Sequence, residues 1–275
     1  RATAAELCLP FVSCPTLAST DAPCSAVSII YTDSGVVEEV RILPNNPALV
    51  LVDTQVIAKA PPRLLTAGMG DALATWFEAR ACAASRARNL RGGASTRSAL
   101  ALAELCYRTL LDDGLEALES ARTGSLTPAF ERIVEANTLL SGLGFESSGL
   151  AAAHAIHNGL TVAPPTHSFY HGEKVAFGTL VQLVLEDAPT PEIEAVLNFC
   201  TQVGLPVTLA QIGLEELSPE LLGQIASRAI EPGESIHNEP FEVSAIMVAD
   251  AVMTADTIGK TWQVGINSIS PKISS

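Results

Sequence analysis

The chain has 275 residues, 48% of them hydrophobic and 17% charged, which is enough apolar material for one large or two ordinary domains. A net charge of −14 argues against nucleic acid and against an anionic membrane surface as partners. No apolar run is long enough to span a bilayer, and no signal peptide is recognisable.

Aromatic residues are scarce at 5% and alanine is abundant, a composition suited to closely packed helices. The six cysteines (Cys8, Cys14, Cys24, Cys82, Cys106 and Cys200) are scattered and form no C-x-x-C pair. They read as reduced, buried thiols of a cytoplasmic protein.

The chain starts at Arg1 with a helix-like stretch over residues 2–7 that runs straight into an apolar run. That start is expected to lie within a longer polypeptide or a shortened copy of one. Residues 9–14 read as a short buried strand. Residues 15–25, PTLASTDAPCS, form a polar loop. Loops in that position carry ligand contacts in α/β proteins, but the same residues also make ordinary turns. Residues 26–32 and 36–43 read as the two arms of a hairpin around Asp33-Ser34-Gly35. Residues 48–53, ALVLVD, are continuously apolar and predict a strand buried on both faces.

Beyond Ala60-Pro61-Pro62 the pattern turns helical. The spacing predicts helices over residues 63–83, 96–111, 115–121 and 128–140, the last with Thr127 as its cap and Pro128 at its first position. Further helices are predicted over 149–157, 175–185, 190–203 (stopping at Gly204), 218–228 and 243–255. The Ser-rich tail over 264–275 reads as disordered. Three or four strands followed by about eight helices do not make a doubly wound fold, and the amino-terminal part is too small to bury a sheet of its own.

Residues 147–179 hold four of the five histidines: His154, His157, His167 and His171. His154 and His157 lie three apart, on neighbouring positions of one helix face, and His171 opens the next helix after a Pro-Pro loop. Two such helices can aim one imidazole each at a single point. A zinc-type ion needs three nitrogen or oxygen donors and one open position. Only one of His154 and His157 need bind; the other suits a supporting hydrogen bond. Capping and lining of helix ends is the alternative. Asp71, an acid in the apolar stretch GMGDALATW, is either a third ligand or an acid facing the amino-terminal end of a helix dipole. His167 reads as a surface loop residue. G-x-G-x-x-G, P-loop, H-E-x-x-H and G-x-S-x-G motifs are all absent.

STDAPCSA (19–26), GMGDALATWFEA (68–79), GLAAAHAIHNGLT (149–161) and YHGEKVAFGTL (170–180), in this order, resemble the zinc-dependent glycerol dehydrogenase family, a branch of the iron-containing alcohol dehydrogenase superfamily. The likeness runs from about residue 6 to about residue 237. It implies a dehydroquinate synthase-like fold: an α/β remnant of a Rossmann-like nucleotide-binding domain over 1–62, then an all-helical metal-binding domain over 63–263. It further implies Zn2+ on Asp71, His154 and His171; NAD lined by Thr16, Ser25, Val27 and Tyr31; and Asp21 against glycerol. The iron branch has a further histidine one turn after the aspartate, where this chain has Thr75. The implied activity is NAD-dependent oxidation of glycerol, or another small vicinal diol, to the ketone (dihydroxyacetone from glycerol), by a homo-oligomer. The family's Gly-Gly-Gly-Lys phosphate-binding turn does not occur in this sequence, although such a turn holds the pyrophosphate. A catalytically impaired relative that keeps the metal-binding helices, and a related alcohol dehydrogenase with another substrate, are therefore competing expectations.

Overall fold

The computed structural model describes residues 1–31 and 37–269. The amino-terminal part consists of α1 (Ala2–Glu6), β1 (Val12–Ser13), β2 (Val27–Tyr31), β3 (Val37–Ile42), β4 (Leu49–Val50) and α2 (Thr54–Ile57). β2 and β3 form the expected antiparallel hairpin, with Val27 opposite Ile42. Its expected turn at residues 33–35 lies outside the described residues. β1 and β4 pair in parallel over two residues each.

Two expectations are corrected here. The run over 9–14 gives a two-residue strand whose Val12 is exposed, and the run over 48–53 is not buried on both faces: Leu49 and Leu51 are 52% and 58% exposed. Continuous apolarity signals burial only when a second layer covers the strand, and among the described residues each ladder has two strands.

The helical part comprises α3 (Pro62–Ser85), α4 (Arg97–Thr123), α5 (Pro128–Glu135), α6 (Ser141–Ser148), α7 (Ala152–Leu160), α8 (His171–Leu185), α9 (Thr190–Val203), α10 (Pro219–Ala229) and α11 (Ala245–Ile269). The starts follow cap chemistry. Thr96, Thr127 and Ser218 each accept a backbone N–H from three residues on. Gly124 and Gly204 end α4 and α9 in the left-handed conformation that glycine tolerates.

The two helices expected over 96–111 and 115–121 are one. Gly114 does not break α4, because it lets Phe199 of α9 pack against the backbone where a Cβ would stand 2.7 Å away. The helix expected over 128–140 ends at Glu135 and passes through a wider π turn, Ala136–Leu140, into α6, which the sequence pattern did not suggest. The tail also differs. Residues 264–269 continue α11, since Pro271 is the first residue that cannot extend a helix; residues 270–275 lie outside the described residues.

One continuous core joins α3 to its neighbours through Leu73, Phe77, Leu110, Phe130, Ile156 and Phe177, all fully buried. Four cysteines are buried as expected, but Cys8 and Cys14 are exposed in the sparsely covered amino-terminal part, and all six are free thiols. Among the described residues no helix is long and apolar enough to cross a membrane.

Candidate metal centre

The site lies where α3, α7 and α8 cross, and small residues make the crossing close. A Cβ on Gly172 would stand 1.8 Å from the carbonyl oxygen of Ala67, and one on Gly70 would stand 2.3 Å from that of Gly172. α8 therefore touches the backbone of α3 one residue before Asp71 and one residue after His171. A Cβ on Gly178 would similarly stand 2.4 Å from the carbonyl of Ala153, so α8 also lies directly on α7.

These contacts bring together the three residues picked from the sequence. His171 Nε2 lies 3.1 Å and His154 Nε2 3.4 Å from Asp71 Oδ1. Neither approach is aligned as a hydrogen bond, and Asp71 Oδ1 is buried without a hydrogen-bond partner. A donor atom from each of the three residues lies within 4.8 Å of the others. The Asp71 side chain is 1% exposed, that of His154 12% and that of His171 35%, so the cluster opens to solvent on the His171 side. Asp71 is the tenth residue of α3, too far from the helix start for the dipole to account for it.

The remaining polar atoms are all engaged. Asp71 Oδ2 accepts the backbone N–H of Asp21 at 3.0 Å. His154 Nδ1 pairs with Glu78 Oε2 at 2.7 Å, and His171 Nδ1 with His157 Nε2 at 3.0 Å. His157 thus stands behind His171 rather than facing Asp71 Oδ1, and His157 Nδ1 goes on to Asn158. With Nδ1 of both the His154 and His171 rings occupied, both Nε2 atoms face the orphaned carboxylate oxygen. This donor set fits a divalent cation: two imidazole nitrogens, one carboxylate oxygen, supported rings and a solvent-facing side.

The electrostatics describe the same cluster without a cation. Burial works against the Asp71 carboxylate, yet His171 and His154 outweigh it and hold its pKa well below the carboxylate range. For His154 burial opposes charge, but Glu78 and Asp71 raise its pKa well above the usual value. His157 is pushed well down, first by burial and then by His171, and is a neutral ring.

Asp21 is buried beside this cluster. Its Oδ2 accepts from Ser141 Oγ at 2.9 Å, and Ser141 Oγ lies 2.8 Å from Thr75 Oγ1. Burial and then the Asp71 charge push the Asp21 carboxyl well up. Thr75 is 1% exposed and tied to Ser141, which leaves three protein donors rather than four.

The loop carrying Asp21 is pinned by Asn137, which donates to the Ala18 carbonyl at 2.9 Å, and by Glu146, which accepts the Ala26 N–H at 3.1 Å. Ser25 is buried with its hydroxyl on the Ala22 carbonyl; Thr16 is exposed in the loop after β1; Val27 and Tyr31 lie on β2. These four are not among the groups touching Asp71, His154 or His171. His167 is exposed, as expected.

Sequence reasoning missed Glu78, Ser141, Gln182 and Glu239. Glu78 left a signal: it lies two helical turns after Asp71, on the same face of an otherwise apolar helix.

No family model matches the chain. Over 254 residues it is 58% identical to a glycerol dehydrogenase of Citrobacter freundii, covering 92% of this chain and 70% of that relative. The chain belongs to the glycerol dehydrogenase family. The crystal structure of glycerol dehydrogenase from Schizosaccharomyces pombe superposes with a TM-score of 0.94 at 42% identity, over 98% of this chain and 68% of that one. An iron-containing alcohol dehydrogenase from Thermococcus thioreducens shares the fold at 17% identity, with a TM-score of 0.68 over 90% of this chain and 65% of that one. The glycerol dehydrogenase family is one of oxidoreductases, and this mostly helical chain also shares its fold with that iron-containing alcohol dehydrogenase.

Proposed function

We propose that the protein oxidises glycerol to dihydroxyacetone, with NAD as hydride acceptor and one zinc ion held by Asp71, His154 and His171. The observation that carries this reading is the buried, unpartnered Oδ1 of Asp71 with two imidazole Nε2 atoms turned towards it. Three donors with one open side suit a catalytic rather than a structural zinc. Thr75, bonded to Ser141 where the iron branch would offer an imidazole, favours zinc over iron.

A zinc ion in this position would act as a Lewis acid that lowers the pKa of a substrate hydroxyl towards neutrality. The nicotinamide would supply the redox chemistry itself. The residues of the chain have separate tasks. Glu78 and His157 fix the ring tautomers that leave both Nε2 lone pairs free. The Asp21 N–H holds Asp71 in its rotamer, and the Asp21 carboxyl, held by Ser141, orients the hydroxyl groups farther from the ion.

In the same reading, residues 1–62 are part of a nucleotide-binding domain, with Thr16, Ser25, Val27 and Tyr31 along the NAD side, and residues 63–263 are the metal-binding domain. Self-association also belongs to it; Leu105, Leu111 and Leu115 along the exposed side of α4 offer an apolar stripe for a second copy.

Three measurements test the proposal. Metal analysis of the purified protein should return one zinc per chain. Fluorescence titration should show saturable NAD binding; zinc without NAD binding would mark the chain as an impaired relative that keeps only the metal site. A diol panel should rank glycerol and other vicinal diols above simple alcohols, and the reverse order would mark a related alcohol dehydrogenase with another substrate.

A further inference from the structure

α7 begins without a cap of its own. The first amides of a helix have no partners inside it, and Ala151, which precedes α7, offers no capping side chain. The N–H groups of residues 151–154 go instead to three side chains from three other segments. Glu78 of α3 accepts from Ala151 at 2.8 Å and from His154 at 3.0 Å. Glu239, in the segment before α11, accepts from Ala152 at 3.0 Å, and Gln182 of α8 accepts from Ala153 at 2.9 Å. All three acceptors are buried.

Glu78 also reaches the His154 ring, whereas Glu239 and Gln182 hold only backbone, two residues and one residue before it. Gln182 is braced from behind. Gln182 Nε2 donates to Glu186 Oε1 at 2.7 Å, and Arg80 donates to Glu186 Oε2 at 3.1 Å and to Glu192 Oε1 at 2.6 Å. The second oxygen of Glu239 is buried with no donor to satisfy it.

We propose that Glu239 and Gln182 are positioning residues for the metal site: by fixing the first turn of α7 from outside, they set the direction in which His154 presents Nε2 to the ion. This rests on the zinc reading given above. Among the described residues nothing else takes the Ala152 and Ala153 amides, so losing either acceptor leaves a buried N–H unpaired beside a proposed metal ligand.

The titratable groups around Glu239 are Glu78 and Cys82 on α3, Glu186 on α8 (itself paired with Arg80), and His237 and Glu242 in its own segment. Burial first, and then Glu186, push the Glu239 carboxyl up to about 8. Its proton then satisfies the second oxygen by bridging to Glu186. Glu239→Gln reproduces this state permanently: the amide oxygen accepts from Ala152 and the NH2 donates to Glu186.

The test is zinc affinity of the full chain, measured by competition with a chromophoric chelator, with circular dichroism and melting of each metal-free variant as the check on folding. Glu239→Ala and Gln182→Ala are expected to lose on the order of 10–100-fold in zinc affinity, the usual effect of removing an outer partner. Glu239→Gln is expected to keep wild-type affinity, because its amide oxygen still accepts from Ala152. Folded Glu239→Ala and Gln182→Ala proteins with unchanged zinc affinity would overturn the proposal. If the alanine variants do not fold, the size-matched Glu239→Met and Gln182→Met variants, folded and with unchanged zinc affinity, would overturn it instead. Wild-type protein that binds no zinc overturns the reading of the site itself, a failure separate from either of these.

Discussion

Glu78→Gln tests how His154 is prepared for a cation. The carboxylate of Glu78 is fully buried and serves three groups at once: the amides of Ala151 and His154 through Oε1, and His154 Nδ1 at 2.7 Å through Oε2. Glutamine has nearly the same shape but one acceptor oxygen. That oxygen is required by the two backbone amides, because turning the NH2 towards them would set donor against donor. The NH2 then faces His154 Nδ1, which must become an acceptor, so the ring proton moves to Nε2, the atom proposed to bind the ion. The expected loss is 10–100-fold in zinc affinity, equivalent to about 1.4–2.7 kcal/mol. The backbone contacts survive, so the melting temperature of the metal-free protein should fall by only a few degrees. Loss of the neighbouring charge should also bring the raised His154 pKa down. Chelator competition gives the affinity and NMR titration of the ring protons gives the pKa. A folded Glu78→Gln protein that binds zinc as tightly as wild type would refute the tautomer argument.

Asp71→Ala and His154→Ala should each abolish stoichiometric zinc; metal analysis showing full zinc in either would remove that residue from the ligand set. Gly172→Ala would place a Cβ 1.8 Å from the Ala67 carbonyl, so α8 must move off α3. At least 1–3 kcal/mol of destabilisation is expected from such overpacking, with weaker zinc binding, read by calorimetry and chelator competition. Zinc competes with the proton on His154, so binding should weaken progressively as pH falls through the raised His154 pKa, with proton release on binding measurable in weakly buffered solution. Metal-free protein should lose stability as pH rises from about 4.5 through about 8. Unfolded Glu239 gives up its proton near the lower value and native Glu239 near the upper one, so deprotonation between them favours unfolding, by at most a few kcal/mol. Melting curves across that range check this; an upward trend would contradict it.

Most of the helical part was legible because its signals are local. Thr96, Thr127 and Ser218 cap their helices as their positions suggested, and Gly204 ends α9. The fused α4 and the unanticipated α6 were not legible. Gly114 stays helical because Phe199 packs on it, and α6 follows from a π turn, and both depend on neighbours distant in sequence. The strand over 48–53 misled for the converse reason: a β-branched apolar run reports a capacity for burial, and burial needs a partner layer.

The sequence by itself determined which residues had metal-binding chemistry, through a cluster of histidines in a chain poor in them and a lone acid in an apolar helix. Only the tertiary structure decided that Asp71 meets His154 and His171, that His157 stands behind them, and that Glu78, Gln182 and Glu239 hold the start of α7. The physical reason is one of range. Caps, breakers and periodicity act over a few residues, whereas the meeting of these side chains is set by helices that approach closely only where glycine leaves out a Cβ, at Gly70, Gly172 and Gly178.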